Sequence, residues 1–543
     1  MKKMLSVFVR RTLGVFVAAF MAAYTLHAQQ APSIEWAKCF GGSGDDKAYS
    51  IQQTSDGGFI VAGSSCSYDD DVTGNHPNYD STASDYWIVR LDSSGNLMWQ
   101  KCLGGSCMEI ANSIQQTADG GFIVVGTSCS DDGDVSGIHI WSGDYWVVKL
   151  DSAGDLLWQR CLGGGGSDLA YSIQQTTDGG FIIAGTSNSY DGDVSGNHCD
   201  FYGNNTYDVW IVKLDNAGNL VWQKCLGWGS IEKAYSIQQT SDKGFIVAGT
   251  SYWDFYDYSN YNFLVMKLDS VGNLLWSKIL GGSKDDNAFS VKQTFDGGFI
   301  IAGGTSSDDG YVSGNHGGSF PDDFWIVKLD SAGNFEWQKC LGGSSVETAR
   351  CLQQTTDHGF IIAGESGSND GDVSGHYGSF DYWIVKLDSI GNLVWQKSLG
   401  GTYDDYAQNI QQTTEGGFII AGTASSNDGN VSGNHSISLS YGDYWIVKLS
   451  PEILSAIPPA PSTTISLHPN PVQNLLTIDL ATQAANATIR VYDLQGKMIA
   501  LPTTCTNTQA QLNTAALPAG FYTLQITNTK TGLTEVGKFV KED

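Results

Sequence analysis

The chain has 543 residues, with 66 glycines against 11 prolines and 16 Trp, 24 Tyr and 22 Phe, a composition that suits many short strands joined by tight turns. Its formal net charge of −28 argues against nucleic acid or an anionic membrane as partner, because phosphate contacts need Lys and Arg surfaces. The same acidity leaves cation binding open.

At the N-terminus, Lys2, Lys3, Arg10 and Arg11 precede an apolar run from Leu13 to Tyr24 and a small-residue site near Ala28. This order predicts a secretory signal over residues 1–28. Its removal takes the net charge from −28 to −32. No later segment approaches the length of a membrane helix, so no integral membrane span is expected.

From Ile34 onward one self-similar unit dominates. Its landmarks are W-Q-K-C-L-G-G-S, A-Y-S-I-Q-Q-T-x-D-G-G-F-I-V-A-G-T-S and D-Y-W-I-V-K-L-D-S-x-G-N-L. The first Trp recurs at Trp36, Trp99, Trp158, Trp222, Trp276, Trp337 and Trp395, at spacings of 54 to 64 residues, so the length variation sits in loops. Each unit carries four strand-like runs, in the first case Ser50–Thr54, Gly58–Gly63, Asp85–Leu91 and Leu97–Gly104. Gly and Asn between them supply the positive φ that tight hairpins need. The second and third runs are apolar on successive residues, which predicts strands covered on both faces, as in the blades of a β-propeller. The Trp of the third run (Trp87, Trp146, Trp210, Trp325, Trp383 and Trp445, with Leu264 as the exception) is then inter-blade core rather than a binding stripe.

The ends of the array predict a closed ring. The seventh unit stops after Asp443–Leu449 without a fourth strand, while an orphan fourth strand, Ile34–Gly42, precedes the first complete unit. Pairing the two completes a seventh blade and removes an open edge. The expectation is an all-β, seven-bladed propeller over residues 34–450. The chain has 11 cysteines. Five of them, Cys39, Cys102, Cys161, Cys225 and Cys340, share a slot that elsewhere holds Ile279 or Ser398, which reads as a buried small side chain rather than a bridge. Cys102–Cys107 and Cys340–Cys351 are locally feasible pairs. The unit resembles the repeats of secreted bacterial β-propeller proteins over Ile34 to Leu449, a resemblance that speaks to fold and not to ligand.

In an up-and-down blade, the loop after the second strand and the link between blades share one face, and this face holds the length variation. Six of the seven long loops carry variants of N-D-G-D-V-S-G-N-H, including Asp132 and Asp134, Asp191 and Asp193, and Asp370 and Asp372. Two readings stand side by side: oxygen ligands for calcium, or Asx-type turns in which Asp satisfies backbone and Gly permits the bend. The recurring His of these loops lacks a second ligand at zinc spacing and reads as a repeated hydrogen bond. The fourth unit departs from the pattern. Its loop reads Ser251-Tyr252-Trp253-Asp254-Phe255-Tyr256-Asp257-Tyr258, and its preceding link has Trp228 where others have Gly. Trp228, Trp253, Phe255, Tyr256 and Tyr258 are therefore read either as an aromatic patch for sugar recognition or as a local cluster sealing the loop.

After a Pro/Ser/Thr-rich linker over 451–464, residues 465–543 alternate apolar and polar residues at strand period, which predicts a small antiparallel sandwich. Pro469-Asn470-Pro471, Val491-Tyr492-Asp493 with Gly496, Gly520-Phe521-Tyr522 and the terminal Lys538 and Lys541 occur in an order that resembles the type A C-terminal sorting domain of the type IX secretion system of Bacteroidota. His468 departs from that pattern, which commonly has Tyr there. The resemblance implies a partner in the type IX machinery, passage through the periplasm, and a final location outside the outer membrane, secreted or on the cell surface.

Three function classes follow. The first is a surface binding or adhesion module for a glycan or protein, and the second a propeller-based polysaccharide-degrading enzyme. The third is a structural surface-layer protein. The many acids of the loop face include no carboxylate pair set apart by context, and no nucleophile elbow, H-E-x-x-H or phosphate loop is present. That favours binding over catalysis.

Overall fold

The computed structural model describes residues 30–452 and 466–542, apart from short stretches at 77–82, 140–141, 200–202, 204, 255–258, 318–321, 437, 439–440, 480–486, 494–497, 500, 502, 506–508 and 529–533. The signal at 1–28, most of the linker and Gly496 lie outside these residues. The chain divides into two compact units, Met1–Ile453 and Leu454–Asp543.

The described residues of the first unit form seven four-stranded antiparallel sheets. The first complete blade is β2 (Asp46–Gln53), β3 (Phe59–Ser65), β4 (Asp85–Leu91) and β5 (Leu97–Leu103), hydrogen-bonded in that order. The inner strands of the next six blades begin at Glu109, Asp168, Ile231, Asp286, Glu347 and Asp405. Each starts about four residues earlier than S-I-Q-Q-T indicates, because polar residues ahead of the apolar run also join the ladder.

Apolar residues on both faces of the two middle strands make the core. In β3 and β4 every residue is buried, and each of seven hydrophobic clusters joins two adjacent blades. Trp87, Trp146, Trp210, Trp325, Trp383 and Trp445 are fully buried in these clusters, and each of the first five gives its indole N–H to a Gln on the outer strand, as Trp87 does to Gln100 at 2.8 Å. The recurring third-strand Trp is core.

The ring closes as its ends require. β1 (Ile34–Phe40) pairs antiparallel with β28 (Asp443–Leu449), from Ile34 opposite Leu449 to Phe40 opposite Tyr444. Across the same seam, Tyr444 donates its hydroxyl to the Trp87 carbonyl at 2.8 Å and the Gln53 N–H donates to the Gln411 side chain at 2.6 Å.

The constant Q-Q pair of the repeat is explained here. The first Gln accepts the backbone N–H of the following blade at six junctions, as Gln52 does from Gln116 at 2.6 Å. The second Gln accepts the turn N–H of the preceding blade at all seven, as Gln53 does from Thr414 at 2.8 Å. Each such bond contributes about 1 kcal/mol net.

The second unit packs two four-stranded sheets around Leu476, Ile478, Leu524, Ile526 and Phe539. No helix among the described residues is long and apolar enough to cross a membrane.

Candidate functional site

The loop-rich face is built from backbone strapping. In blades one, two, three, five, six and seven, a loop His meets the Asp that opens the third strand: His76–Asp85 at 2.6 Å, His139–Asp144 at 2.7 Å, His198–Asp208 at 2.6 Å, His316–Asp323 at 2.8 Å, His376–Asp381 at 3.0 Å and His435–Asp443 at 2.7 Å. A loop Asn adds a second tie, as Asn75 does by donating to the carbonyls of Ser65 and Ser67 at 3.0 and 2.9 Å. The recurring His is thus a strap.

The six loop acids have structural partners. Asp132, Asp191 and Asp370 accept the backbone N–H of Ser106, Gly165 and Ser344 at 2.7, 2.5 and 2.7 Å. Asp134, Asp193 and Asp372 face His76, His139 and His316 of the preceding blade at 3.8, 3.9 and 3.7 Å. Among the described residues, no three His, Cys, Asp or Glu side chains converge as a metal ion would require.

Beneath the straps, the strand-opening Asp meets the first acid of the next blade. Asp85 with Glu109, Asp144 with Asp168 and Asp443 with Asp46 are all fully buried. Burial pushes these carboxyls up, beyond what their hydrogen bonds restore: to about 6 for Asp85, Asp168, Asp286 and Asp443, and to about 7 for Glu232 and Asp405. Burial also lowers His76, His139, His316 and His435, but the bonded Asp and neighbouring carboxylates outweigh it and leave these imidazoles above their ordinary value. Perturbed acids often mark reactive sites. These are sealed from solvent, so substrate has no path to them.

The pH dependence follows. Every group raised in the folded state contributes stability that is complete below its ordinary value and is lost as pH rises through the raised one. Outside, Asp242 and Asp296 are held at about 2 by Thr and Lys partners, against the opposing effect of burial, so acid costs stability only below the usual carboxylate range. The thermal midpoint is expected to be highest near about pH 4 and to be lower by about pH 8. A midpoint that climbs over that interval, measured by circular dichroism at constant ionic strength, contradicts the assignment.

A disulfide joins Cys107 in a blade link to Cys129 at the end of the second strand, with Cα atoms 5.6 Å apart. Neither locally feasible pair forms; Cys102, Cys340 and Cys351 are free and buried. The link and the loop after strand two meet on this face, which brings together two cysteines 22 residues apart.

Blade four replaces the strapped loop with a hairpin. β15 (Phe245–Asp254) and β16 (Ser259–Leu268) continue three residues beyond their counterparts, pairing Tyr252 with Tyr261, Trp253 with Asn260 and Asp254 with Ser259. The Tyr252 and Tyr261 rings meet at 5.0 Å. The His of the strap is absent, and Asn262 stands where the other six blades have its Asp. Trp228 lies in the link leading to this hairpin and is 51% exposed. The tip residues Phe255, Tyr256 and Tyr258, and the side chain of Trp253, lie outside the described structure.

The inner strands enclose a central channel of about 680 Å³. In every blade the pairing of first and second strands slips by one residue at the same place, between Ala48 and Ser50 in blade one. The residue at the slip lines the channel: Tyr49, Asn112, Tyr171, Tyr235, Phe289, Arg350 and Gln408. Sequence reading missed this ring. Its signal is one variable position inside the otherwise near-constant A-x-S-I-Q-Q-T.

In the second unit, Asn470 ties strands together by donating to the Lys538 carbonyl at 3.1 Å and accepting from the Val540 N–H at 2.9 Å. Pro469 and Pro471 flank it, both after cis peptide bonds. Tyr522, two residues after Gly520, stacks on Phe539 and donates to the Pro518 carbonyl at 2.8 Å. Lys541 is buried while Lys538 is exposed.

Residues 466–542 match the family described as secretion system C-terminal sorting domain. This tail is a type IX sorting domain, and the chain is secreted to the cell surface or beyond. No curated protein matches the chain. Among solved structures it is similar to the WD40 domain of Pan2 from Neurospora crassa, at 9% identity over 77% of this chain and 96% of that one, with a TM-score of 0.43. It is also similar to Sqt1 from Chaetomium thermophilum, at 10% identity over 78% and 99% with a TM-score of 0.38. PorZ, a surface component of the type IX secretion system of Porphyromonas gingivalis, is similar at 10% identity over 94% and 75%, with a TM-score of 0.28. None of these likenesses bears on ligand.

Proposed function

We propose that this exported propeller is a binding module that captures glycans on its loop-rich face at blade four, through Trp228, Trp253, Phe255, Tyr256 and Tyr258. One observation carries the reading. Six blades strap their long loop down with a His–Asp pair, and blade four gives up both partners for a projecting hairpin beside an exposed Trp228. Trp228, about half of it open to solvent, stands where the other links hold Gly, and ring faces bordered by carboxylates and amides suit sugar stacking with hydrogen bonds. The sorting tail supplies the location such a module needs.

The test is a glycan array probed with the mature chain and two variants. One is Trp228→Gly, which restores the residue of the other links; the other replaces residues 251–261 by the corresponding loop of blade three. The mature chain is expected to retain a defined set of glycans, and each variant to lose about tenfold in signal with an unchanged circular dichroism spectrum. Retention of no glycan, or equal retention by all three proteins, overturns the proposal.

A further inference from the structure

The central channel inverts the charge of the molecule. The chain carries a net charge of −28, yet the residues lining the channel include no Asp or Glu and do include Lys292 and Arg350, on adjacent blades. Neither cation is explained by the architecture. Lys292 occupies the slot in which the other six blades carry the first Gln, and an ammonium has no carbonyl to offer the next blade's N–H. Blade five therefore forgoes an inter-blade bond that six junctions make.

Arg350 is held in place by a dedicated partner. Its Nε and Nη2 donate to Glu365 at 3.1 and 2.6 Å, and Glu365 is 4% exposed. At the register of Glu365 the other blades have Ser64, Thr127, Thr186, Thr250, Gly304 and Thr423, so the acid occurs only opposite the Arg. The fork fixes the guanidinium over the Phe289 ring, 4.8 Å from its centre, and leaves the Nη1 edge without a protein partner among the described residues. From there an aromatic crescent runs back through two blades, with Phe289 to Tyr235 at 5.2 Å and Tyr235 to Tyr171 at 4.9 Å. Asn112 and Gln408 add amides at the same level.

We propose that this end of the channel is a second binding site, distinct from the blade-four hairpin, for an acidic saccharide: its sugar ring lies on the Tyr171–Tyr235–Phe289 crescent and its carboxylate on Arg350. The cavity of about 680 Å³ accommodates one or two sugar rings. Aromatic faces take the C–H surface of the ring, and amides take its hydroxyls. A carboxylate meets the Nη1 edge of a guanidinium whose other edge Glu365 holds, and Lys292, three residues further along the neighbouring inner strand, adds positive field to the same channel.

The experiment is titration calorimetry of the mature chain with D-glucuronate, D-galacturonate and D-glucose. Three variants accompany it. Lys292→Gln restores the common residue of its slot, and the double substitution Arg350→Tyr with Glu365→Thr restores the pair that blade three carries, so both keep the fold's own solutions. The third is the blade-four hairpin replacement. At least one uronate is expected to bind saturably, about tenfold more tightly than glucose, and added salt weakens it. The double substitution and Lys292→Gln each weaken it about fivefold or more, while the hairpin replacement leaves it unchanged. Equal affinity for glucose, unchanged affinity in both channel variants, or no saturable uronate binding up to about 10 mM overturns the proposal. Loss of binding in the hairpin replacement alone assigns the saccharide to blade four and overturns it as well.

Discussion

Replacing Gly104 by Ala is expected to destabilise the propeller far more than replacing Gly120 by Ala, although only Gly120 has a positive φ. Gly104 ends an outer strand directly over the buried acid pair. A Cβ there stands 2.5 Å from a carboxylate oxygen of Asp85 and 2.6 Å from one of Glu109. Both residues are fully buried, and the second oxygen of Asp85 is held by the backbone and ring of His76, so neither carboxylate can swing into water. The new methyl must shift two strands or break the strap, at about 2–4 kcal/mol. At Gly120, with φ of +83°, a Cβ meets nothing within 4 Å, and only the left-handed conformation costs, about 1 kcal/mol. Thermal unfolding of the two variants side by side is expected to show a drop at least about twice as large for Gly104→Ala; equal drops contradict the crowding. The same crowding recurs at Gly41, Gly163 and Gly342, each close to two buried acids, which is why the repeat keeps a Gly directly after every outer strand.

The architecture was legible because burial on both faces of F-I-V-A and W-I-V leaves a four-stranded sheet few options besides packing between two neighbours, and because an extra strand at one end matched a missing strand at the other. The His of the loops was legible as a hydrogen bond for a similar reason: one imidazole per loop, without a second ligand at spacing, meets the Asp that opens the third strand. What escaped was everything set by which strand is innermost. Tyr49, Asn112, Tyr171, Tyr235, Phe289, Arg350 and Gln408 sit at one variable position of a strand that otherwise reads as polar padding, and only the one-residue slip at each blade turns that position into the channel wall. Cys107 and Cys129 escaped because their proximity depends on a blade link and a loop that meet only once the face has formed. In blade four, the pattern S-Y-W-D-F-Y-D-Y was read as a loop. Its first residues instead extend the hairpin, because alternating aromatic residues without Gly favour strand over turn.

Both proposed binding sites presuppose a closed ring. They stand on one face and in one channel only if β1 completes the last blade. That strand satisfies the outer edge of β28, whose seven residues are all buried, and adds Phe40 to the core between blades seven and one. Burying Phe40 alone is worth about 1.5–3 kcal/mol. The bonds of Ser33 to Ser450 and of Lys448 to Glu35 go with it. Without β1, β28 becomes an exposed apolar edge strand, a template for association between chains. The decisive measurement compares a chain beginning at Gln30 with one beginning at Gly44, by size-exclusion chromatography and thermal unfolding under the same conditions. The longer chain is expected to run as a monomer with one sharp transition, and the shorter one to aggregate or to lose that transition. A shorter chain that remains monomeric and unfolds at the same temperature contradicts strand exchange, and with it the ring on which both sites rest.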